Sequence, residues 1–268
     1  MSDETTNKFS LIDLPDVPDS VDNAVKNLSD IPTKNIGQTF GDLWYLVFGG
    51  ISHAADKKRM KYATDLEKYH QELTQSIDQI PNDKRTEPSI QVTAQALENS
   101  KYCVSSELLR EMFVKLISGS MNIDKKALVH PSFPEIIKQL SERDALLLKD
   151  IYSSSKPALP IVTIGIRSND NGYNVIHSNV FISKTLNFST YDYMLSLSSL
   201  QHANLISISY DTWINDEKSY EDLKNTSEYL QVKEILSHTN QSKPYLKKGM
   251  VQLTHLGRAF CSICVATN

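Results

Sequence analysis

The run at residues 161–181, IVTIGIRSNDNGYNVIHSNVF, decides the fold class. Its flanks, 161–167 and 173–181, are rich in β-branched and aromatic residues, and Asn169-Asp170-Asn171-Gly172 lies between them. Asn, Asp and Gly tolerate the backbone of a tight turn, so the run predicts a β-hairpin. Most of the remaining chain follows a helical period instead. The expected class is therefore α+β and mainly α: an N-terminal helical region, then an α+β region that contains the hairpin.

Downstream of the hairpin, Ser189 and Asp192 predict a capping box for a helix through Met194, Leu195, Leu197 and Leu200. Asn204 can end that helix in a left-handed conformation. Residues 205–210 then read as a strand and 249–253 as a second, short one. Thr254 starts a final helix carrying Leu256, Phe260 and Ile263. The order of helix, strand, returning strand and Leu253-Thr254-His255-Leu256-Gly257 is similar to winged-helix domains. It departs from them in two ways: a hairpin replaces a short helix, and residues 215–249, with a charged helical segment near 220–236, fill the wing. In a DNA-binding version the 190–203 helix would enter the major groove. That helix holds no Lys or Arg, and residues 141–268 balance twelve basic against twelve acidic residues. Phosphate contacts need cations, so nucleic acid is not expected as a partner. Protein interaction is the expected use.

Upstream of the hairpin, Ser141 with Asp144 predicts a capped helix through Leu146, Leu147, Leu148 and Ile151, broken at Ser153-Ser154-Ser155-Lys156-Pro157. Residues 89–140 read as three helices. The first spans 90–101. Ser105 is placed to cap the second, which carries Leu108, Leu109, Met112, Phe113, Leu116 and Ile117. The third starts at His130-Pro131-Ser132-Phe133, where Ser132 and Glu135 are spaced for a capping box. Pro134 is tolerated in a first turn, whose amides lack intrahelical partners. His130 invites a catalytic reading, because His is the commonest general base. No nucleophile or carboxylate is arranged for it in the nearby sequence, so a structural role is expected for His130, Pro131, Ser132, Phe133 and Glu135 alike.

Further back, Met60, Ala63, Leu66, Tyr69, Leu73 and Ile77 form one apolar stripe of a helix across 55–80. Asp65 with Tyr69, and Glu67 with Gln71, are expected as exposed i,i+4 neighbours. Residues 36–55 carry a single charge, Asp42. Their continuous apolar part, 43–48, is too short for a membrane span, so a core-facing helix is expected. Trp44, Tyr45 and Phe48, just ahead of Lys57, Lys58 and Arg59, are candidate membrane or partner contacts. Residues 1–35 hold seven acidic residues and three lysines, which accounts for the whole net charge of −4. They read as a disordered acidic tail and not as a signal peptide. The expected organisation is thus tail 1–35, helical domain 36–140 and α+β domain 141–268, the last with its insert at 215–249.

Chemistry is sparse. Cys103, Cys261 and Cys264 make no disulfide framework, which fits a reducing cytosol. Cys261 and Cys264 form one Cys-x-x-Cys, half the ligand set of a structural zinc site, and are expected to be buried thiols. There is no glycine-rich phosphate loop, Gly-x-Ser-x-Gly or His-Glu-x-x-His. No metal, cofactor or catalytic residue is assigned.

Residues 101–150 resemble the signature of the abortive infection alpha family of bacterial proteins. The resemblance is carried by Leu109-Arg110-Glu111-Met112-Phe113, by His130-Pro131-Ser132-Phe133 and by Ile136-Ile137-Lys138-Gln139-Leu140-Ser141. It extends outward to residues 40–59 and to Gly249-Met250-Val251-Gln252-Leu253-Thr254. The resemblance implies defence against phage and brings no catalytic residues. The chain is accordingly expected to be a non-enzymatic sensor or protein-interaction module in the cytoplasm, with a protein partner or a second copy of itself. The alternative is a membrane-targeting effector, peripheral to the inner membrane, that uses the 36–55 helix.

Overall fold

A computed structural model describes residues 34–49, 57–167, 172–237 and 244–266. The proposed acidic tail up to residue 33 and the hairpin turn at 168–171 lie outside these residues.

The N-terminal part is helical. Helix α1 (Lys34–Phe48) buries Phe40, Trp44 and Phe48, which are spaced by four and so share one face. Helix α2 (Lys57–Asp78) buries Leu66, Tyr69, Leu73 and Ile77, the stripe expected from its period. Asp65, expected on the surface, is buried with them. Pro81 follows α2, and a short 3-10 turn, Asn82–Lys84, replaces further helix. Helices α3 (Ile90–Ser100) and α4 (Glu107–Ser120) come next. Helix α4 lies at the centre, packed against α2 on one side and α3 on another. Its N-cap is Ser106, not Ser105, and that hydroxyl donates to Glu142 Oε1 at 2.6 Å instead of capping α4. A short 3-10 turn, Lys126–Leu128, precedes α5 (Phe133–Gln139), and α6 (Glu142–Ser153) follows it. The expected box at the head of α6 is complete: Ser141 Oγ accepts Asp144 N–H at 3.1 Å, and Asp144 Oδ2 accepts Ser141 N–H at 2.9 Å.

The sheet is antiparallel, in the order β2-β1-β4-β3. Strands β1 (Leu159–Arg167) and β2 (Tyr173–Val180) are the two arms of the expected hairpin. Helix α7 (Thr190–His202) ends where Asn204 adopts φ 56°, and β3 (Ile206–Ser209) follows. At the head of α7 half of the expected box forms: Ser189 Oγ accepts Asp192 N–H at 3.1 Å and donates to the Asp192 carboxylate at 2.7 Å. The segment before β4 contains two 3-10 turns, Glu217–Tyr220 and Asp222–Asn225, and then α8 (Ser227–Ser237). Strand β4 (Tyr245–Leu253) is nine residues long. It therefore starts inside the stretch read as insert, not at residue 249. The chain closes with α9 (His255–Phe260), capped by Thr254, and a π-helical turn, Cys261–Val265.

Two apolar cores follow from this layout. The main core joins α1 to α7 with one face of the sheet, α9 and the π turn. It runs without a break past residue 140, and the π turn packs directly on α4. The second core is smaller. Val162, Ile164 and Val180 on the other face of the sheet are covered by Tyr220, Leu223, Val232 and Leu236 of the 215–249 segment. That segment is thus a lid on the sheet, held also by the Tyr220 hydroxyl, which donates to Gly249 O at 2.9 Å and accepts Ile214 N–H at 2.9 Å.

Candidate functional site

The His130–Phe133 turn bonds to itself. His130 Nδ1 lies 2.8 Å from Ser132 Oγ and accepts Ser132 N–H at 3.2 Å. Ser132 is already helical, at φ −76° and ψ −15°, and its side chain caps nothing. The expected Ser132–Glu135 capping box is therefore absent, because the imidazole two residues back takes the hydroxyl. Glu135 instead accepts from Gln139 Nε2 at 3.0 Å and Asn99 Nδ2 at 3.2 Å, beside Lys138. The Gln139 bond, with help from Lys138, holds the Glu135 carboxyl below its ordinary range. Phe133 is fully buried, edge-on to Phe260 with ring centroids 5.2 Å apart. The turn thereby fastens α5 to α9. His130 is exposed, and among the described residues no carboxylate is hydrogen-bonded to its ring. Such a group would orient a general base.

Cys261 and Cys264 lie within the π turn, buried as expected. Burial pushes the Cys261 thiol up to about 12, raises Cys264 well above its ordinary value and also raises Cys103. All three remain neutral at physiological pH, a poor state for a nucleophile or a metal ligand. Among the described residues no three His, Cys, Asp or Glu side chains are grouped to hold a metal ion.

Trp44, Tyr45 and Phe48, the candidate membrane or partner contacts on a helix expected to face the core, are divided. Trp44 and Phe48 are core, each 2% exposed, with Trp44 4.5 Å from Phe48 and 5.5 Å from Tyr69. Tyr45 points outward, and so does Leu46, which is 79% exposed. The sequence marks this helix as apolar but does not say which of its aromatic residues reaches solvent.

Helix α7 is the better surface. Tyr193, Ser196, Leu197 and Leu200 are buried, while Tyr191 (72% exposed), Leu195 (57%), Ser198 and His202 face outward at helical spacing. The helix is held rigidly. Arg143 pairs with Asp192, Ser199 Oγ donates to Asp144 at 3.1 Å, and Tyr193 OH donates to Leu186 O at 2.6 Å.

A groove of about 490 Å³ lies between the 153–156 loop, the segment after β2 and the 3-10 turns of the lid. Its charges are mixed: Lys156, Lys184 and Lys218 against Asp150, Asp216 and Asp222. Asp150 accepts from Thr185, and Asp216 accepts from Lys218 N–H and Ser219 Oγ, so two of the carboxylates serve the groove's own walls.

One cluster goes unmarked by the local sequence patterns. Arg167, Tyr173, Tyr210, Tyr245 and Lys247 gather at one end of the sheet, with the Tyr173 and Tyr245 rings 4.6 Å apart. Two of the five lie in the first half of β4, inside the 215–249 stretch that reads as insert. The alternation of Tyr245, Lys247 and Gly249 was the available signal.

A family model described as abortive infection alpha matches residues 61–264, well over half of the chain. No curated protein and no solved structure matches the chain.

Proposed function

The chain belongs to the abortive infection alpha family, and from that membership we propose that it serves abortive infection as a non-enzymatic sensor or protein-interaction module in the cytoplasm. The observation that carries this reading is α7. A helix whose buried face is fixed by core packing, an ion pair and two side-chain bonds presents Tyr191 and Leu195 to solvent, with no cation beside them on the helix. Exposed aromatic and aliphatic anchors on a rigid helix suit a protein groove. The absence of Lys and Arg from α7 removes the phosphate contacts a duplex reader would need.

The test is phage plaque counts on cells that express the gene with its native neighbours, across a broad phage panel. Wild type is expected to lower the counts and the Tyr191→Ala, Leu195→Asp double variant to restore them, with the thermal midpoint of the variant unchanged. Protection undiminished in that variant sinks the α7 reading. Light scattering on both proteins reports whether the partner is a second copy of the chain.

The exposure of Leu46 beside Tyr45 favours a second reading, that α1 docks on a membrane surface. No helix among the described residues is long and apolar enough to cross a membrane. Flotation with anionic vesicles should then depend on Tyr45 and Leu46, and a Tyr45→Asp, Leu46→Asp variant should remain at the bottom of the gradient. Wild-type protein that never floats ends this reading.

A further inference from the structure

The sheet extends past the helices that cover it. Across the β1–β4 ladder, Gly165, Thr163 and Ile161 stand opposite Tyr245, Lys247 and Gly249. Directly opposed residues share a face. At one end of that face Ile161, Val251, Leu253 and Ile206 join the main core. Toward the other end Thr163, Gly165 and Gly249 are still buried, but Arg167 and Val175 are exposed and Tyr173, Tyr245, Lys247 and Tyr210 are half-buried. On the reverse face Val162 and Ile164 lie under the lid.

On this open end, rings and cations interleave. The Arg167 guanidinium carbon is 5.2 Å from the Tyr245 ring centroid, and Lys247 Nζ is 5.7 Å from that of Tyr210. Tyr210 is anchored by its hydroxyl, which donates to Asn179 Oδ1 at 3.0 Å and accepts Asn179 N–H at 3.2 Å. Its ring crosses β4 over Gly249, where a Cβ would lie 2.6 Å from the ring.

We propose that this face binds single-stranded nucleic acid, with unpaired bases stacking on Tyr173, Tyr245 and Tyr210 and the backbone phosphates against Arg167 and Lys247. Aromatic rings spread on a sheet are reached by splayed bases and not by the stacked bases of a duplex. Arg167 and Lys247 offer two phosphate contacts, too few to hold a duplex by charge alone. The chain's net negative charge does not oppose this, because it resides in residues 1–35 and the remainder is neutral. The site goes beyond the protein-interaction reading and stands apart from α7. Its binding is measured on the purified chain, whereas that reading rests on plaque counts.

The experiment is fluorescence anisotropy of the full chain with labelled oligouridylate, oligothymidylate and a duplex DNA. At least one single strand is expected to bind, and the duplex to bind tenfold more weakly or worse. Preference between the two strands identifies RNA or DNA as the natural ligand. Two phosphate contacts predict a slope of log K against log salt of about −1.4, which an Arg167→Gln, Lys247→Gln variant should flatten. Tyr245→Ala should weaken binding about tenfold or more, and Tyr245→Phe, which keeps the ring, should retain it. Tyr173→Ala removes a second ring independently, should Tyr245→Ala fail to fold. No single-strand binding up to about 0.1 mM protein, equal affinity for the duplex, or binding indifferent to loss of both rings overturns the proposal.

Discussion

Arg110 on α4 and Glu72 on α2 meet fork to fork, with Arg110 Nε 2.8 Å from Glu72 Oε2 and Nη2 2.7 Å from Oε1. The remaining nitrogen, Nη1, donates to Val104 O at 3.0 Å, so one buried guanidinium ties α2, α4 and the loop before α4. Asp65, buried nearby, adds to the negative field, and the Arg110 pKa is raised first by its bond to Glu72. Arg110→Ala is expected to cost about 2–3 kcal/mol, because charge-assisted bonds are lost and Val104 O loses a donor. Arg110→Lys should rescue little, since an ammonium cannot make the two-pronged contact. Urea midpoints at unchanged m-value measure both. A cost within experimental error for Arg110→Ala would show the pair to be ornamental.

The three thiols give a second prediction. Buried, and with raised pKa values, they should react with a thiol reagent at pH 8 only after denaturation. The same shifts set an alkaline limit. The folded state keeps protons that an unfolded cysteine loses above pH about 8.5, so stability is full below that pH. It then falls as pH rises toward the folded value, about 12 for Cys261. Each such group contributes at most about 1.4 kcal/mol per pH unit. A Cys261→Ala, Cys264→Ala protein should lose less stability between pH 9 and 10.5 than wild type. An identical alkaline limb in the two proteins would assign it to other groups.

In the family-motif turn, the phenylalanine should matter more to stability than the histidine. Phe133 fills a fully buried site against Phe260, and Phe133→Ala should cost about 3–5 kcal/mol. His130 is exposed and, among the described residues, hydrogen-bonded only within its own turn, so His130→Ala should cost less than about 1 kcal/mol. Plaque counts on the stable His130→Ala protein then separate structure from chemistry. Full protection fits the anchoring role, and protection lost at unchanged stability would revive a catalytic role for the imidazole.

What the sequence made legible was local. The Ser141–Asp144 box and the left-handed Asn204 depend on residues within a few positions, and both formed. The same logic failed at Ser132 because a neighbour the capping rule ignores, His130, competes for the hydroxyl. Asp65 failed for a different reason. A helical period tells which residues share a face, but the partner helix decides how wide the buried arc is. At β4 the consecutive Lys247 and Lys248 look like a loop, yet they point to opposite faces: one lies over Tyr210, the other over Tyr220 with Glu217 as its ion partner. Only the register of β4 on β1, a long-range fact, separates them, and the proposed nucleic-acid face was hidden for that reason.

The last prediction concerns Gly257, in the first turn of α9. Thr254 N–H donates to Leu205 O at 3.0 Å, and Thr254 Oγ1 donates to Asn204 O at 2.6 Å, so α9 starts directly against the end of α7 and the strand that follows it. Thr254 Oγ1 also accepts the Gly257 N–H at 2.9 Å, which sets the glycine against the same backbone. A Cβ on Gly257 would lie 1.9 Å from Leu205 O and 2.8 Å from its carbonyl carbon. These are backbone atoms held by the α9 cap and by the left-handed Asn204, so no side-chain rotation can relieve the clash. The conformation of Gly257 itself is ordinary, with no positive-φ glycine among the described residues; the constraint is space alone. Gly257→Ala should therefore cost about 3 kcal/mol or more, despite the gain in helix propensity that alanine brings. Gly41→Ala, which meets nothing within 4 Å in α1, is the control and should be neutral or slightly stabilising. Thermal and urea midpoints of the two variants decide the matter, and equal stability would mean that α9 can retreat from Leu205 without loss.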